Sequence, residues 1–176
     1  MITPQIKNIF RNMLVLNTIL FSQAAFADTE LKYKVLKCHD GDTCQVLSTD
    51  NMKLKIRLIG IDAPEVSNRK NKVNQPYGVE SKDFINNLIK GKSVTLKNYA
   101  TDPFGRSLSE IFLEKLNVNL KMVDSGMAEV YKGKMDKNFD VTPYLEAEKK
   151  AKKEKIGIWS LPNYQSPKDF RVTHKN

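Results

Sequence analysis

The chain has 176 residues, with 29 basic and 20 acidic side chains and a formal net charge of +9. This length favours one domain with its own hydrophobic core. The spacing of the only two cysteines, Cys38 and Cys44, excludes the usual zinc arrangements of four ligands. The only two histidines, His39 and His174, lie far apart in the sequence, which gives little support for a His-based metal site or a Ser-His-Asp triad.

The first 27 residues show the three-part pattern of a secretory signal peptide. Lys7 and Arg11 precede the apolar run MLVLNTILF, and Ala25-Phe26-Ala27 forms an A-x-A cleavage site. The alternative is an uncleaved membrane anchor, but the run is well short of the ~20 residues that a spanning helix needs. We expect cleavage after Ala27 and a secreted protein, extracellular or periplasmic, without stable membrane association afterwards.

Removal of the predicted signal peptide leaves 27 basic and 20 acidic residues, a formal charge of +7. A basic excess of this size is compatible with a polyanionic partner such as nucleic acid. Solubility alone would also explain it, so the charge does not decide between these interpretations.

Residues 31–47 are predicted to form a β-hairpin whose turn contains Asp40, Gly41 and Asp42. A turn needs only one Asp or Asn beside a glycine. Two neighbouring carboxylates repel each other, and their presence indicates that a cation lies nearby. Cys38 and Cys44 flank this turn, and in an exported protein they could form a disulfide. Two buried free thiols would suit the strands equally well.

The next stretch, NMKLKIRLIGIDAPE, alternates between apolar and basic residues and predicts a half-buried strand. Leu54, Ile56 and Leu58 share the apolar face. The alternation stops at Gly60, which indicates a bulge or a barrel corner. Pro64 ends the strand because proline cannot continue a central ladder.

The rest of the chain alternates between predicted helices and strands. In order these are a helix over 77–92, strands over 93–99 and 109–114, a short helix ending near Gly126, a helix from Thr142 to Gly157, and a flexible C-terminal tail over 162–176. The turn TDPFGRSL joins the two strands. Five short strands with helices between and after them favour a small barrel of the OB type.

Five blocks of the sequence resemble, in order, those of the staphylococcal nuclease (thermonuclease) family. They are DGDT at 40–43, IRLIGIDAPE at 56–65, YGVES at 77–81, DPFGRSL at 102–108 and KKAKKEKIGIW at 149–159. The resemblance implies an α+β fold, a five-stranded OB-fold β-barrel with three helices. It places one nuclease domain at 28–161, between the signal peptide and the tail.

The resemblance also implies a calcium-dependent phosphodiesterase, an endonuclease that acts on DNA and RNA. Asp42 and Asp62 would ligate calcium through their carboxylates and Ala63 through its backbone carbonyl, with Asp40 as a nearby carboxylate that does not ligate. The catalytic residues would be Glu65, a general base acting on water, and two arginines that bind the phosphate, Arg57 and Arg106.

Elementary chemistry agrees with these implied roles. Calcium takes oxygen ligands, arginine presents a charged fork of donors to phosphoryl oxygens, and a base must lie within hydrogen-bond reach of the attacking water. The chain departs from the family's best-studied member at Pro103-Phe104, where that member has a lysine and a tyrosine.

We expect a monomer that takes nucleic acid as its substrate. The alternative is a catalytically weak nucleic-acid-binding module on the same fold. A structural protein of the cell envelope would explain export and charge, but not the six polar residues at 40, 42, 57, 62, 65 and 106.

Overall fold

The fold was analysed in a computed structural model, which describes residues 31–67 and 73–174. The predicted signal peptide lies outside the described residues. Within them the strands are β1 Lys32–Cys38, β2 Thr43–Leu47, β3 Lys53–Leu58, β4 Ile61–Asp62, β5 Ser93–Thr101, β6 Ser107–Leu113, β7 Leu116–Asn117 and β8 Glu129–Val130. The α-helices are α1 Gly78–Ile89, α2 Val118–Asp124, α3 Thr142–Lys153 and α4 Pro167–Thr173, with a 3₁₀ helix at Gly157–Ser160.

Five strands close a β-barrel. They are hydrogen-bonded in the order β3-β2-β1-β5-β6, and a parallel pairing of β3 with β6 completes the ring. The short strand β4 lies outside the barrel and pairs with β8, so that Asp62 is opposite Glu129. The predicted α+β fold with a five-stranded OB-type barrel is confirmed, although four α-helices are described where three were expected.

The alternation in β3 is that of a strand with one face in the core. Ile56 and Leu58 are buried, whereas Lys53 and Lys55 are exposed. The strand ends at Leu58, and Gly60 lies in the turn that follows. The φ of Gly60 is +82°, a conformation that residues with a side chain rarely adopt, and a Cβ there would lie 2.2 Å from the ring of Phe139. The chain therefore turns sharply at this glycine and enters β4, which carries Asp62.

Part of the segment that was expected to be a flexible tail, 162–176, is helical in the structure. Residues 167–173 form helix α4, which Ser166 caps by accepting a 3.1 Å hydrogen bond from the backbone N–H of Asp169. Pro167 occupies the first turn of the helix, and Phe170 is buried. The buried ring of Phe170 packs this short helix against the body of the protein.

Among the described residues, no helix combines the length and the apolar character needed to cross a membrane. The described strands and helices instead enclose one core, in which the side chains of β1, β2, β3 and β6 meet those of α1 and α2.

Cys38 and Cys44 form a disulfide between β1 and β2. The two residues are directly opposite in the antiparallel register, with their Cα atoms 3.8 Å apart. The bridge closes the hairpin loop that carries Asp40 and Asp42, so it decides the question that the sequence left open in favour of a bonded pair.

We expect no free thiol in the denatured, unreduced protein, because the described chain has no unpaired cysteine. Reduction should lower the free energy of unfolding by about 2 kcal/mol, the loop-closure contribution of so short a ring. Thiol titration in denaturant tests the first statement, with a reduced sample as the control that should give two thiols. Two free thiols without reduction would contradict the bridge.

Candidate active site

A cavity of about 720 Å³ opens at one end of the barrel. Its lining comes from the β1–β2 loop, β3, the segment after β4, the β5–β6 turn and helix α4. Most of the predicted site residues line it, namely Asp40, Asp42, Arg57, Glu65 and Arg106. Asp62 is buried next to this cavity and reaches it through its contacts with arginine side chains. The fold therefore brings the dispersed polar residues of the sequence to one place.

The acidic loop between β1 and β2 is packed tightly against its neighbours. Asp40 Oδ1 accepts a 3.0 Å hydrogen bond from the backbone N–H of Asp42. A Cβ on Gly41 would lie 1.9 Å from Ser81 Oγ and 2.6 Å from Ala63 Cβ. The glycine is therefore required here by close packing, in addition to any preference of the turn.

Asp42 connects this loop to the segment that follows β4. Its Oδ2 accepts a 2.8 Å hydrogen bond from the backbone N–H of Ala63. Burial raises the pKa of Asp42 to about 7, with contributions from the charges of Asp40 and Asp62 and with Arg57 opposing the rise. The rise follows first from removal of the carboxylate from water, which disfavours its charged form.

The guanidinium of Arg57 lies between the two carboxylates that were predicted to bind metal. Its Nη1 contacts Asp42 Oδ2, and its Nη2 donates a 3.0 Å hydrogen bond to Asp62 Oδ1. Burial disfavours the charged guanidinium, but Asp42 and Asp62 outweigh this effect and raise the pKa of Arg57. Arg57 thus places a positive charge between Asp42 and Asp62.

The acidic side chains still outnumber the basic ones. Asp40, Asp42, Asp62 and Glu65 lie beside two guanidinium groups, those of Arg57 and Arg171, so the carboxyl groups outnumber the guanidinium groups by two. The donors are carboxylate oxygens, which suit a hard divalent cation such as calcium and not zinc. No group of three Cys, His, Asp or Glu side chains within the described ranges is arranged to hold a metal. A site of two carboxylates and a backbone carbonyl is compatible with that finding.

Glu65 is held by its backbone and by its carboxylate. Its N–H donates to Gln75 Oε1 at 3.1 Å, and its C=O accepts from the N–H of Gln75 at 3.0 Å. Its Oε1 accepts a 2.5 Å hydrogen bond from Arg171 Nη1. Burial raises the pKa of Glu65, while the hydrogen bond from Arg171 opposes this. A partly buried carboxylate of raised pKa at a cavity wall has the properties of a general base.

Arg106 is positioned by the turn between β5 and β6. Asp102 Oδ1 accepts the backbone N–H of Arg106 at 2.9 Å, and Asp102 Oδ2 accepts its Nε at 2.7 Å. Burial would raise the pKa of Asp102, but the hydrogen bonds from Arg106 prevail and lower it. The guanidinium lies 5.5 Å from the ring of Phe104, which is 82% exposed. Because β6 pairs in parallel with β3, this arginine lines the same cavity as Arg57.

Sequence reasoning missed two polar residues that shape the site. Arg171 contacts Asp62 and Glu65 from helix α4. Its segment carries a helix-start signal, Ser166-Pro167, that could have indicated order. Gln75 is 3% exposed and bonds to Glu65 on one side and to the C=O of Gln165 on the other. Nothing in the polar segment around it distinguishes this glutamine.

A third residue, Asn119, was missed because its role is internal. It is fully buried at the start of α2, where its Oδ1 accepts the N–H of Ile111 at 3.0 Å. Its Nδ2 donates to the C=O of Ile59 at 2.9 Å and to that of Ser109 at 3.0 Å. The side chain therefore ties β6 to the bend from which β4 and Asp62 follow.

Comparison with known proteins agrees with this geometry. The family profile described as Staphylococcal nuclease homologue matches residues 55–161, more than half of the chain. The chain belongs to the staphylococcal nuclease family. The matched range contains Arg57, Asp62, Glu65 and Arg106, and it ends before helix α4.

Several relatives in this staphylococcal nuclease family carry nuclease names. A protein of Haemophilus influenzae named "Uncharacterized endonuclease" is 33% identical over 170 residues, covering 96% of this chain and 87% of that protein. A protein of the same name in Escherichia coli O157:H7 is 37% identical over 72% of this chain and 76% of its own length. A rice protein named "Probable staphylococcal-like nuclease CAN3" is 34% identical over 84% of this chain, but only 34% of its own length.

Proposed function

We propose that this protein is a calcium-dependent nuclease that hydrolyses phosphodiester bonds of DNA and RNA. The observation that carries the proposal is the convergence on one cavity of the Glu65 carboxylate and two arginines, Arg57 and Arg106, beside a cluster of aspartates. The nuclease names of relatives in the same family support the reaction class. Calcium is supported by the oxygen-only donor set.

Each residue of the site has a separate role in the proposed hydrolysis. Glu65 accepts a proton from water, and the water oxygen forms a bond to phosphorus. The ester P–O bond on the opposite side breaks, and the departing sugar oxygen keeps the bonding electron pair and takes a proton from solvent water. Arg57 and Arg106 donate hydrogen bonds to the phosphoryl oxygens, where negative charge grows in the transition state. Asp42 and Asp62, with the carbonyl of Ala63, would hold the cation. When bound, a divalent cation supplies positive charge that compensates both the acidic cluster and the phosphate.

The basic outer face of the β1-β2-β3 sheet favours a long polyanionic substrate. Lys34, Lys37, Lys53 and Lys55 are exposed there, and the register aligns Lys37, Gln45 and Lys55 side by side across the three strands. None of these four lysines forms an ion pair with another described residue. On β3 the basic face continues from Lys55 to Arg57, so it leads into the cavity. Such a face attracts nucleic-acid backbones independently of sequence.

We also infer that the protein acts outside the cytoplasm, as a monomer, after cleavage at Ala27. The signal pattern motivates this inference, and the disulfide between Cys38 and Cys44 supports it, since such bonds persist in oxidising compartments. N-terminal sequencing of the exported protein should begin at Asp28. An intact Met1 in the released protein would contradict cleavage.

Cleavage by residues 28–176 should depend on a divalent cation. We expect chelation to abolish cleavage of single- and double-stranded DNA and RNA, and calcium to restore it better than magnesium, manganese or zinc. Gel assays of end-labelled substrates across these ions measure this. Asp62→Asn should lose the response to calcium because it removes a ligating charge, whereas the exposed Asp50→Asn serves as the matched control and should retain it. Undiminished cleavage after chelation would overturn the cation requirement. If the parent protein binds nucleic acid but does not cleave it, the alternative of a catalytically weak nucleic-acid-binding module is correct.

A further inference from the structure

Arg171, on helix α4, bonds directly to the carboxylate of Asp62, which was predicted to ligate the cation. Arg171 Nη2 lies 2.8 Å from Asp62 Oδ2, and its Nη1 lies 3.1 Å from Asp62 Oδ1 and 2.5 Å from Glu65 Oε1. The Asp62 side chain is only 3% exposed, whereas that of Arg171 is 40% exposed. A two-pronged pair of this kind is the strongest that a carboxylate forms with a side chain.

The Asp62 carboxylate is thereby largely occupied. Two donors from Arg171 and one from Arg57 Nη2 are bonded to its two oxygens, which offer about four acceptor positions in all. A divalent cation on Asp62 must share these oxygens with two positive guanidinium groups. Arg57 also bonds to Asp42 and is fixed within β3, so Arg171 is the group that can move away.

We propose that Arg171 is a built-in competitor of the divalent cation, a side chain that neutralises Asp62 in the cation-free protein and leaves Asp62 when the cation binds. The proposal rests on the proposed function only in requiring that the site binds a divalent cation. It assigns to the C-terminal segment a control over cation affinity that the matched family range, ending at residue 161, does not include.

The contacts of the C-terminal segment show how Arg171 is held next to Asp62. Tyr164 OH donates a 3.0 Å hydrogen bond to Glu129 Oε2, and the C=O of Gln165 accepts from Gln75 Nε2 at 2.8 Å. Phe170, next to Arg171, is 7% exposed. The segment from Tyr164 to Phe170 is thus docked at three places. Its docking and the Arg171–Asp62 pair stabilise each other. By reciprocity, a cation that displaces Arg171 must also loosen α4.

Calcium titration of the 28–176 protein by calorimetry, without any substrate, tests the competition. We expect Arg171→Gln to bind calcium about tenfold more tightly than the parent, because a competing positive charge is removed. The matched control is Lys168→Gln on the same helix, which removes the same charge from an exposed position and should change the affinity little. Equal affinities of the parent and Arg171→Gln, or equal gains in both variants, would overturn the proposal.

A second variant keeps Arg171 but weakens the packing that holds it next to Asp62. Phe170→Ala should also tighten calcium binding, and the double variant Phe170→Ala/Arg171→Gln should bind no more tightly than Arg171→Gln alone. An unchanged affinity of Phe170→Ala for calcium, or additive gains in affinity in the double variant, would contradict the claim that the docked helix positions Arg171.

Hydrogen exchange gives a readout that is independent of affinity. Saturating calcium should speed the exchange of the α4 amides in the parent protein, and exchange that is unchanged or slowed would overturn the proposal. If the parent binds calcium but Arg171→Gln binds it no better, only this inference fails. If neither protein binds any divalent cation, the cation requirement of the proposed function fails with it.

Discussion

Replacement of Glu65 by glutamine should lower the rate of nucleic-acid cleavage by about 100-fold or more, the typical contribution of a positioned general base. Glutamine keeps the shape of the side chain, and its Oε1 can still accept the hydrogen bond that Arg171 gives to the carboxylate. The backbone bonds to Gln75 are unaffected by the change. The loss should therefore appear in kcat, with little change in the affinity for a substrate analogue that cannot be cleaved.

The measurement is a comparison of initial rates at saturating calcium and substrate. Glu146→Gln, an exposed position on α3, removes the same charge away from the cavity and is expected to cleave at the parent's rate. Cleavage by Glu65→Gln at the parent's rate would remove Glu65 from the mechanism, whatever its effect on binding.

Substitution of Asn119 by alanine should lower the free energy of unfolding by about 3 kcal/mol or more. The change removes three hydrogen bonds within the core and leaves the N–H of Ile111 and the C=O of Ile59 without this partner. Each buried backbone group left unpaired costs about 1–3 kcal/mol. The C=O of Ser109 keeps a second donor, the N–H of Ile59, and should contribute less.

Denaturant titration of the parent and the variant measures this difference. Asn138→Ala, an exposed position, is the matched control and should stay within about 0.5 kcal/mol of the parent. Asn119→Leu restores volume without hydrogen bonds and should remain destabilised. A loss below about 1 kcal/mol in both Asn119 variants would show that the amide is not the main tie between β6 and the bend.

The features that the sequence predicted correctly are local or periodic. The alternation in β3, the glycine break at Gly60 and the helix beginning near Thr142 each depend on neighbouring residues, and each lies where it was expected. The grouping of Asp42, Arg57 and Asp62 came from the family resemblance, and the barrel brings all three into contact. Their chemical roles stay predictions.

The features that the sequence did not predict depend on long-range contacts. Arg171 is 109 residues from Asp62 along the chain, and no periodicity relates the two positions. A seven-residue helix is too short to show an amphipathic pattern, so its segment was interpreted as a tail. Asn119 follows the N-cap of α2 and resembles any polar residue of a first helical turn, although it is fully buried. Burial of a polar group is decided by what packs around it.

The tight packing around Gly41 bears on which ion the proposed cation site would select. A Cβ on this glycine would overlap both Ser81 and Ala63, so the acidic loop approaches the segment after β4 more closely than a residue with a side chain would allow. We infer that such a tightly packed frame cannot contract around a small ion. Magnesium demands close, nearly ideal octahedral geometry at about 2.0–2.1 Å, whereas calcium accepts irregular shells at about 2.3–2.6 Å. Discrimination between the two ions would then follow from the missing side chain of one glycine.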